Sequence, residues 1–117
     1  MSYRQIDTKI WSDEKFSKLN CDCRFFFLYL LTSKHSNSCG IYVLPDEYIQ
    51  ADLKFTAKQI RTCWERLANS SLIVRCCDTS LVIISNWLKY NKPENERSIH
   101  AYCNNLMSLP RSPLLVN

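Results

Sequence analysis

Charged and hydrogen-bonding side chains recur at three- and four-residue spacing between residues 56 and 66. A helix would gather four of them on one face, namely Lys58, Arg61, Thr62 and Glu65. Gln59 and Arg66 would lie at the margins of that face. Side chains of these types suit base edges and phosphates, with Arg61 matching guanine, Gln59 matching adenine and Lys58 matching a phosphate or a base.

Catalytic chemistry has little support in the sequence. His35 and His100 are the only histidines, and neither stands in an acid/base or triad pattern. There is no phosphate-binding loop and no nucleophile elbow. Asp46 and Glu47 are better explained as acidic residues in the first turn of a helix than as a catalytic pair. We therefore expect a protein that is not an enzyme and that needs no cofactor.

The seven cysteines are an odd number and include no Cys-x-x-Cys pair. His35 with Cys39 and His100 with Cys103 have helix-like ligand spacing, but each lacks the second pair that a zinc site usually shows. We predict reduced thiols that serve as small core residues, as Cys63 would, and no metal site.

Length and charge set further bounds. The chain has 117 residues, of which 46% are apolar, and we expect one domain over residues 1–110 with a tail at 111–117. No run approaches the roughly 20 apolar residues of a membrane helix, and the N-terminus lacks the apolar core of a signal peptide, so we expect a cytoplasmic protein. Residues 1–53 hold six Lys and Arg against seven Asp and Glu, whereas residues 54–117 hold nine against four. The basic part suits phosphate binding.

The elements that must position the polar face lie in residues 44–74, which read as helix, turn, helix and strand. Pro45 suits the first turn of the first helix, whose apolar face would consist of Tyr48, Ile49 and Leu53. Thr56 and Gln59 have the spacing of a capping box at the start of the second helix. The apolar face of this second helix would consist of Ile60, Cys63, Trp64 and Leu67.

The rest of the chain predicts a small sheet and further helices. Before residue 44 we expect strands at 3–6 and 41–44, a short helix after Ser12, and a helix to about residue 33 that is apolar all round and therefore the most buried. Gly40, the only glycine, suggests a backbone geometry that other residues resist.

A hairpin follows the helix pair. Its strands would be residues 72–77 and 81–87, joined by a turn at 78–80. A polar connector at 89–97 and an amphipathic helix at 98–107 would complete the chain. The predicted fold is α+β, a winged helix-turn-helix with about four to five helices and a small antiparallel sheet.

Several phrases in the same order resemble a known family. They are YRQIDTKIWSDEKFSKL, FFFLYLLTS, GIYVLP and NWLKYNKPEN. Over residues 3–110 the chain resembles the N-terminal winged-helix domain of phage replication initiators, also called replisome organisers. The resemblance implies a domain that binds double-stranded origin DNA. In longer members, a C-terminal region contacts the host helicase or its loader.

Carried over by position, the resemblance assigns a role to each polar residue of the second helix. The residues that would face the major groove are Thr56, Lys58, Gln59, Arg61, Thr62 and Glu65. Arg66 would lie near a phosphate. The turn of the pair carries Lys54 where the family tends to have glycine. We also expect this chain to lack the region that contacts the helicase in longer members, either as one domain of such a protein or as a small protein that uses the fold differently. The wing tip carries Asp78 and no cation, which leaves Arg75 as the wing residue that would have to reach the DNA.

Two other functions fit the same sequence. The domain could be a protein-interaction module that binds or inhibits a host protein, or that forms a homodimer. The surface would come from Tyr3, Trp11, Tyr102 and Leu106, unless these residues pack the two ends of the chain together. It could also be a phage transcriptional regulator, because the docking chemistry is the same. A dimer would require two half-sites about one helical turn apart, or multiples of that.

Overall fold

A computed structural model of the chain describes residues 3–87. In chain order the elements are a 3-10 helix at Thr8–Ser12, α1 (Glu14–Ser17), α2 (Cys21–Thr32), β1 (Ile41–Val43), α3 (Asp46–Leu53), α4 (Ala57–Asn69), β2 (Ile73–Cys76) and β3 (Leu81–Ile84). The predicted α+β class is confirmed, with four α-helices and a three-stranded antiparallel sheet in this range. None of the helices described is long and apolar enough to cross a membrane.

Besides the proposed contact surface at Tyr102 and Leu106, four predictions concern residues outside this range. They are the connector at 89–97, the helix at 98–107, the domain boundary at 110 with its tail, and the ligand spacing of His100 and Cys103.

The sheet has the order β1-β3-β2, so β3 pairs with both other strands. Tyr42 of β1 and Arg75 of β2 both lie opposite Val82 of β3. The predicted hairpin is present as β2 and β3, and the predicted third strand is β1. The amide of Leu44 donates a hydrogen bond to the Ser80 carbonyl oxygen at 2.8 Å, which joins the start of the α3–α4 unit to the hairpin turn.

Three details of the prediction are wrong. Residues 3–6 form no strand; the guanidinium of Arg4 instead donates to the Ser36 hydroxyl and carbonyl oxygens at 3.2 and 3.1 Å. These side-chain contacts hold the segment without a backbone ladder. Pro45 is extended (ψ 146°) and precedes α3 rather than joining its first turn. The last strand ends at Ile84, three residues earlier than expected.

The core lies between α2, α4 and the sheet. Its contribution from α2 consists of Cys23, Phe26, Phe27, Leu30 and Leu31, all buried. Phe25 is 52% exposed, so one side of α2 is not fully covered, but α2 has more buried residues than any other described helix, as predicted. Within residues 3–87, Phe25 is covered only in part, with its ring edge-on to Phe55 at 5.9 Å.

Gly40 has the special geometry that the sequence predicted. Its φ is 72°, in the left-handed region that residues with a Cβ resist. A Cβ built on Gly40 would lie 2.6 Å from ring atoms of Trp87. The Trp87 indole is anchored by donating from Nε1 to the Ser38 carbonyl oxygen at 2.8 Å. The glycine is therefore required both by its backbone angle and by the buried indole.

A polar cluster attaches α3 to α2 and to the loop that follows α2. The Tyr29 hydroxyl donates to Asp52 Oδ2 at 2.6 Å, and Lys34 and His35 lie 3.6 and 3.8 Å from the same carboxylate. The His35 ring stacks on Tyr48 at 4.5 Å. Burial and the Asp52 carboxylate raise the pKa of Tyr29 to about 12, and the Tyr29 hydrogen bond lowers the pKa of Asp52. This cluster fixes the helix that precedes α4.

Candidate nucleic-acid interface

Helix α4 has one face in the core and one in solvent. Its buried residues are Ile60, Cys63, Trp64 and Leu67, as predicted. Full burial of a side chain such as Ile60 or Leu67 contributes about 1.5–3 kcal/mol, so this face is sufficient to hold the helix in place. The exposed residues of the opposite side are Lys58, Arg61, Glu65 and Arg66, while Gln59 and Thr62 are half-buried. The structure therefore brings together the predicted residues of α4.

The start of α4 is a capping box, which confirms the prediction. The backbone N–H of Gln59 donates to Thr56 Oγ1 at 3.1 Å, and the backbone N–H of Thr56 donates to Gln59 Oε1 at 2.8 Å. This pairing occupies the side-chain oxygens of both residues. Gln59 keeps its NH₂ donors but has committed the acceptor oxygen that a bidentate contact with adenine would use.

The turn between α3 and α4 contains a lysine in the left-handed conformation. Lys54 has φ 61° and ψ 27°, and its amide donates to the Gln50 carbonyl oxygen to close α3. This is the position where the sequence departs from the expected glycine. The side chain of Lys54 is exposed two residues before Thr56, and it adds a cation beside the start of α4. Lys54 was not among the predicted site residues, although its place in the turn would have indicated it.

Arg75 is held inside the domain. Its side chain is 9% exposed, and its guanidinium lies 4.1 Å over the Trp64 ring. It donates to Asp46 Oδ1 at 3.1 Å and to the Ser80 carbonyl oxygen at 2.7 Å. Burial lowers the pKa of Arg75, while Asp46 opposes that shift. A phosphate contact by Arg75 would require these internal contacts to break.

Asp46 links three elements at the start of α3. The same Oδ1 atom that accepts from Arg75 also accepts from Trp64 Nε1 at 3.0 Å. The first turn of α3, the middle of α4 and the hairpin are therefore joined by one carboxylate, one indole and one guanidinium. We call Asp46, Trp64 and Arg75 the clamp. Sequence reasoning did not predict the clamp, although alternation along β2 puts Arg75 on the same side as the buried Ile73.

A groove of about 500 Å³ runs between the start of α3, α4 and the hairpin. It is lined by the clamp together with Glu47, Arg61, Glu65, Cys77 and Ser80. Arg61 and Glu65 border it from α4, one helical turn apart. The groove presents the carboxylates of Glu47 and Glu65, the half-exposed carboxylate of Asp46 and the guanidinium of Arg61. It therefore offers both hydrogen-bond donors and acceptors to a ligand.

A smaller cavity of about 150 Å³ lies on the other side of α4, beside the start of α2. Two free thiols, those of Cys23 and Cys63, approach to 3.7 Å in its wall, and Lys58 and Thr62 border it. Burial and the neighbouring Cys23 raise the pKa of the Cys63 thiol to about 12, which favours the unreactive protonated form. The prediction that Cys63 is a small core residue is confirmed. Residues 3–87 contain no group of three or more His, Cys, Asp or Glu that could hold a metal ion.

Comparison of the chain with known protein families, with curated proteins and with solved structures finds no match. The class of the protein is therefore inferred from its own fold and from the residues of this interface. They define an α+β domain that exposes the charged side of one helix between a polar groove and a left-handed turn.

Proposed function

We propose that this chain is a winged-helix protein that binds duplex DNA through the outward face of α4. The winged-helix assignment is supported by the element order α2, β1, α3, α4 and hairpin, and by the sheet order β1-β3-β2. The observation that carries the DNA-binding proposal is the division of α4. Its apolar face is buried in the core, and its charged face is exposed, as entry into a major groove requires.

The cations on and around α4 support the contact with phosphates. Lys58 and Arg66 lie two turns apart on the helix, and Lys54 precedes it in the turn; all three are exposed. Arg61 lies between them on the outward face and is suited to a base edge. Phosphate contacts position a protein on DNA, and base contacts give specificity. The set thus divides into Lys54, Lys58 and Arg66 for the backbone and Arg61 for a guanine.

Duplex binding across a salt series tests this assignment. Arg61→Ala should weaken binding to a preferred duplex by on the order of 5- to 150-fold, the cost of a lost bidentate base contact. Arg66→Ala should weaken binding to all duplexes and reduce the slope of log K against log salt by about 0.9. Lys15→Ala on α1 is the matched control, because it removes the same charge from another exposed position. If neither Arg61→Ala nor Arg66→Ala changes affinity or slope more than Lys15→Ala does, α4 is not the recognition helix.

The biological role that we propose is replication initiation by a phage in the host cytoplasm, with the host helicase or its loader as further partners. Its support is the sequence phrases that resemble replisome organisers. Selection of bound duplexes from a random library, matched to the source genome, tests it. A cluster of repeated sites within a replication gene is the expected result. A single promoter site would indicate a transcriptional regulator instead.

A protein-interaction role is the second candidate, and a specific observation favours it. Tyr3 and Trp11 are 78% and 64% exposed, so two side chains of the types enriched at protein interfaces are accessible to a partner. Tyr102 and Leu106, which the same hypothesis uses, lie outside the described residues. A protein captured tightly by the wild type but not by Trp11→Ala, with no duplex retained at low salt, would favour this role. Light scattering would identify a homodimer.

A further inference from the structure

We infer that Glu65 is a specificity-determining residue that accepts a hydrogen bond from the amino group of a cytosine, beside the base that Arg61 contacts. The inference rests on the proposed function, because it concerns the same face of α4. It predicts which DNA bases the interface prefers. Neither the fold nor the net charge predicts a base preference.

The capping box reduces the number of side chains that can read bases. The side-chain oxygens of Thr56 and Gln59 each accept a hydrogen bond from the backbone N–H of the other residue, at 3.1 and 2.8 Å, which holds the first turn of α4. Thr62 is half-buried and borders the small cavity beside Cys23. Arg75 is withdrawn into the clamp. Of the predicted contacts, Arg61 and Glu65 are the exposed side chains that face the groove between α4 and the hairpin.

Within residues 3–87, neither side chain has an ion pair. The salt bridges within residues 3–87 involve Glu14, Asp46 and Asp52 as acids and do not include Arg61 or Glu65. Both groups are therefore available to a ligand without losing a contact of this kind. A carboxylate so placed would be repelled by phosphates, so it must meet a hydrogen-bond donor if α4 is to enter a groove of DNA.

The donors available in the major groove identify the ligand. Cytosine presents its N4 amino group there, and Glu is a side chain that accepts from it, whereas guanine presents two acceptors that suit Arg61. Residues four apart on a helix are separated by about 6 Å along its axis. Successive base pairs are separated by about 3.4 Å. Arg61 and Glu65 are therefore expected to contact bases one or two pairs apart, which predicts a guanine and a cytosine in the core of the site.

Base preference at each position of a selected duplex tests this inference. Wild type should favour cytosine at one position by on the order of tenfold. Glu65→Ala should abolish that preference while strengthening binding to unrelated duplexes, because it removes a negative charge close to the phosphates. Glu65→Gln should move the preference at the same position toward adenine, which a glutamine amide matches. Glu14→Ala on α1 is the control for charge, and it should leave base preference unchanged.

The outcomes separate the inference from the function on which it rests. Sequence-preferring binding that depends on Arg61, with the same base preferences in Glu65→Ala as in wild type, would overturn the inference and leave the proposed function standing. A folded wild type that binds no duplex at low salt would overturn both. Thermal melting by circular dichroism verifies that each variant is folded; Glu65 is exposed, so its variants should melt within a few degrees of wild type.

Discussion

Four residues within 3–87 have a positive φ that few side chains tolerate, namely Gly40, Lys54, Ser71 and Ser80, and the first two lie at the boundaries of elements described above. Gly40 precedes β1, and Lys54 joins α3 to α4. The left-handed conformation costs a residue with a Cβ about 1–2 kcal/mol, and glycine avoids that cost. The chain thus uses glycine at one of these two boundaries and accepts strain at the other.

Lys54→Gly should leave the domain as stable as wild type or stabilise it by up to about 1 kcal/mol. The relief of left-handed strain is partly offset by the greater freedom of glycine in the unfolded chain. Lys54→Val should destabilise the domain by at least about 1 kcal/mol, because a β-branched side chain resists this conformation further. Urea unfolding measures both changes. A valine variant as stable as the glycine variant would show that the turn is not strained.

Gly40→Ala should destabilise the domain by more than about 2 kcal/mol, since the new methyl group would overlap the Trp87 ring and the backbone angle would be strained. Chemical unfolding monitored by tryptophan fluorescence gives the change in free energy. The same substitution in a Trp87→Ala background should cost less, because the two ring contacts at 2.6 Å are removed and the contact with Cβ at 2.7 Å remains. Equal costs in the two backgrounds would place the penalty in the backbone alone.

At the scale of elements, the clamp decides how the hairpin sits beside α4. Arg75→Ala removes a guanidinium that stacks on Trp64 and donates to Asp46 and Ser80, so we expect a loss of about 2–3 kcal/mol in stability. Arg75→Lys keeps the charge but not the planar guanidinium, so its stability should lie between those of wild type and Arg75→Ala. Urea unfolding of wild type, Arg75→Lys and Arg75→Ala measures these differences in stability. If alanine and wild type were equally stable, the clamp would contribute nothing to hairpin placement.

The attachment of α3 to α2 should depend on pH through Asp52. The Tyr29 hydrogen bond lowers the pKa of Asp52 in the folded state, so at pH values between the two pKa values the unfolded chain binds the extra proton. The stability from this carboxylate is therefore complete above the ordinary carboxyl range near pH 4, and it is lost as pH falls through the lowered pKa.

Asp52→Asn should consequently be less stable than wild type at pH 7, and the difference should shrink steadily below pH about 4. Tyr29→Phe should show the same trend and cost on the order of 1 kcal/mol at pH 7, the usual net contribution of a hydrogen bond. Unfolding free energies measured from pH 2 to pH 7 give the comparison. A difference that stays constant over this range would mean that ionisation of Asp52 is not linked to folding.

The elements that the sequence predicted well are those whose signals are local. The capping box at Thr56 and Gln59 is a four-residue pattern, and the apolar face of α4 repeats at helical spacing, so both could be read from neighbouring residues. The clamp could not, because it joins Asp46 and Arg75 across 29 positions of the chain. Residues 3–6 were mispredicted for a similar reason, since a strand needs a partner that the sequence does not name.

At the scale of the whole molecule, the charges of residues 3–87 do not form one uniformly basic surface. The exposed side of α4 carries three cations and the carboxylate of Glu65, and the groove beside it also carries Glu47. Non-specific attraction to DNA should therefore be modest, and discrimination among sequences correspondingly important. The polar cluster around Asp52 attaches α3 to α2, and the clamp attaches the hairpin and α4 to the start of α3. Together these contacts give α4 a fixed orientation.

The most direct test of the central claim is to titrate isotope-labelled protein with a selected duplex and follow the backbone amide resonances. We predict that the largest shifts map to the α3–α4 turn and the outward side of α4, from Lys54 to Arg66. The cluster at Tyr29 and Asp52 should show little change. Shifts that centre on Tyr3 and Trp11, or no shifts at low salt, would contradict duplex binding through α4.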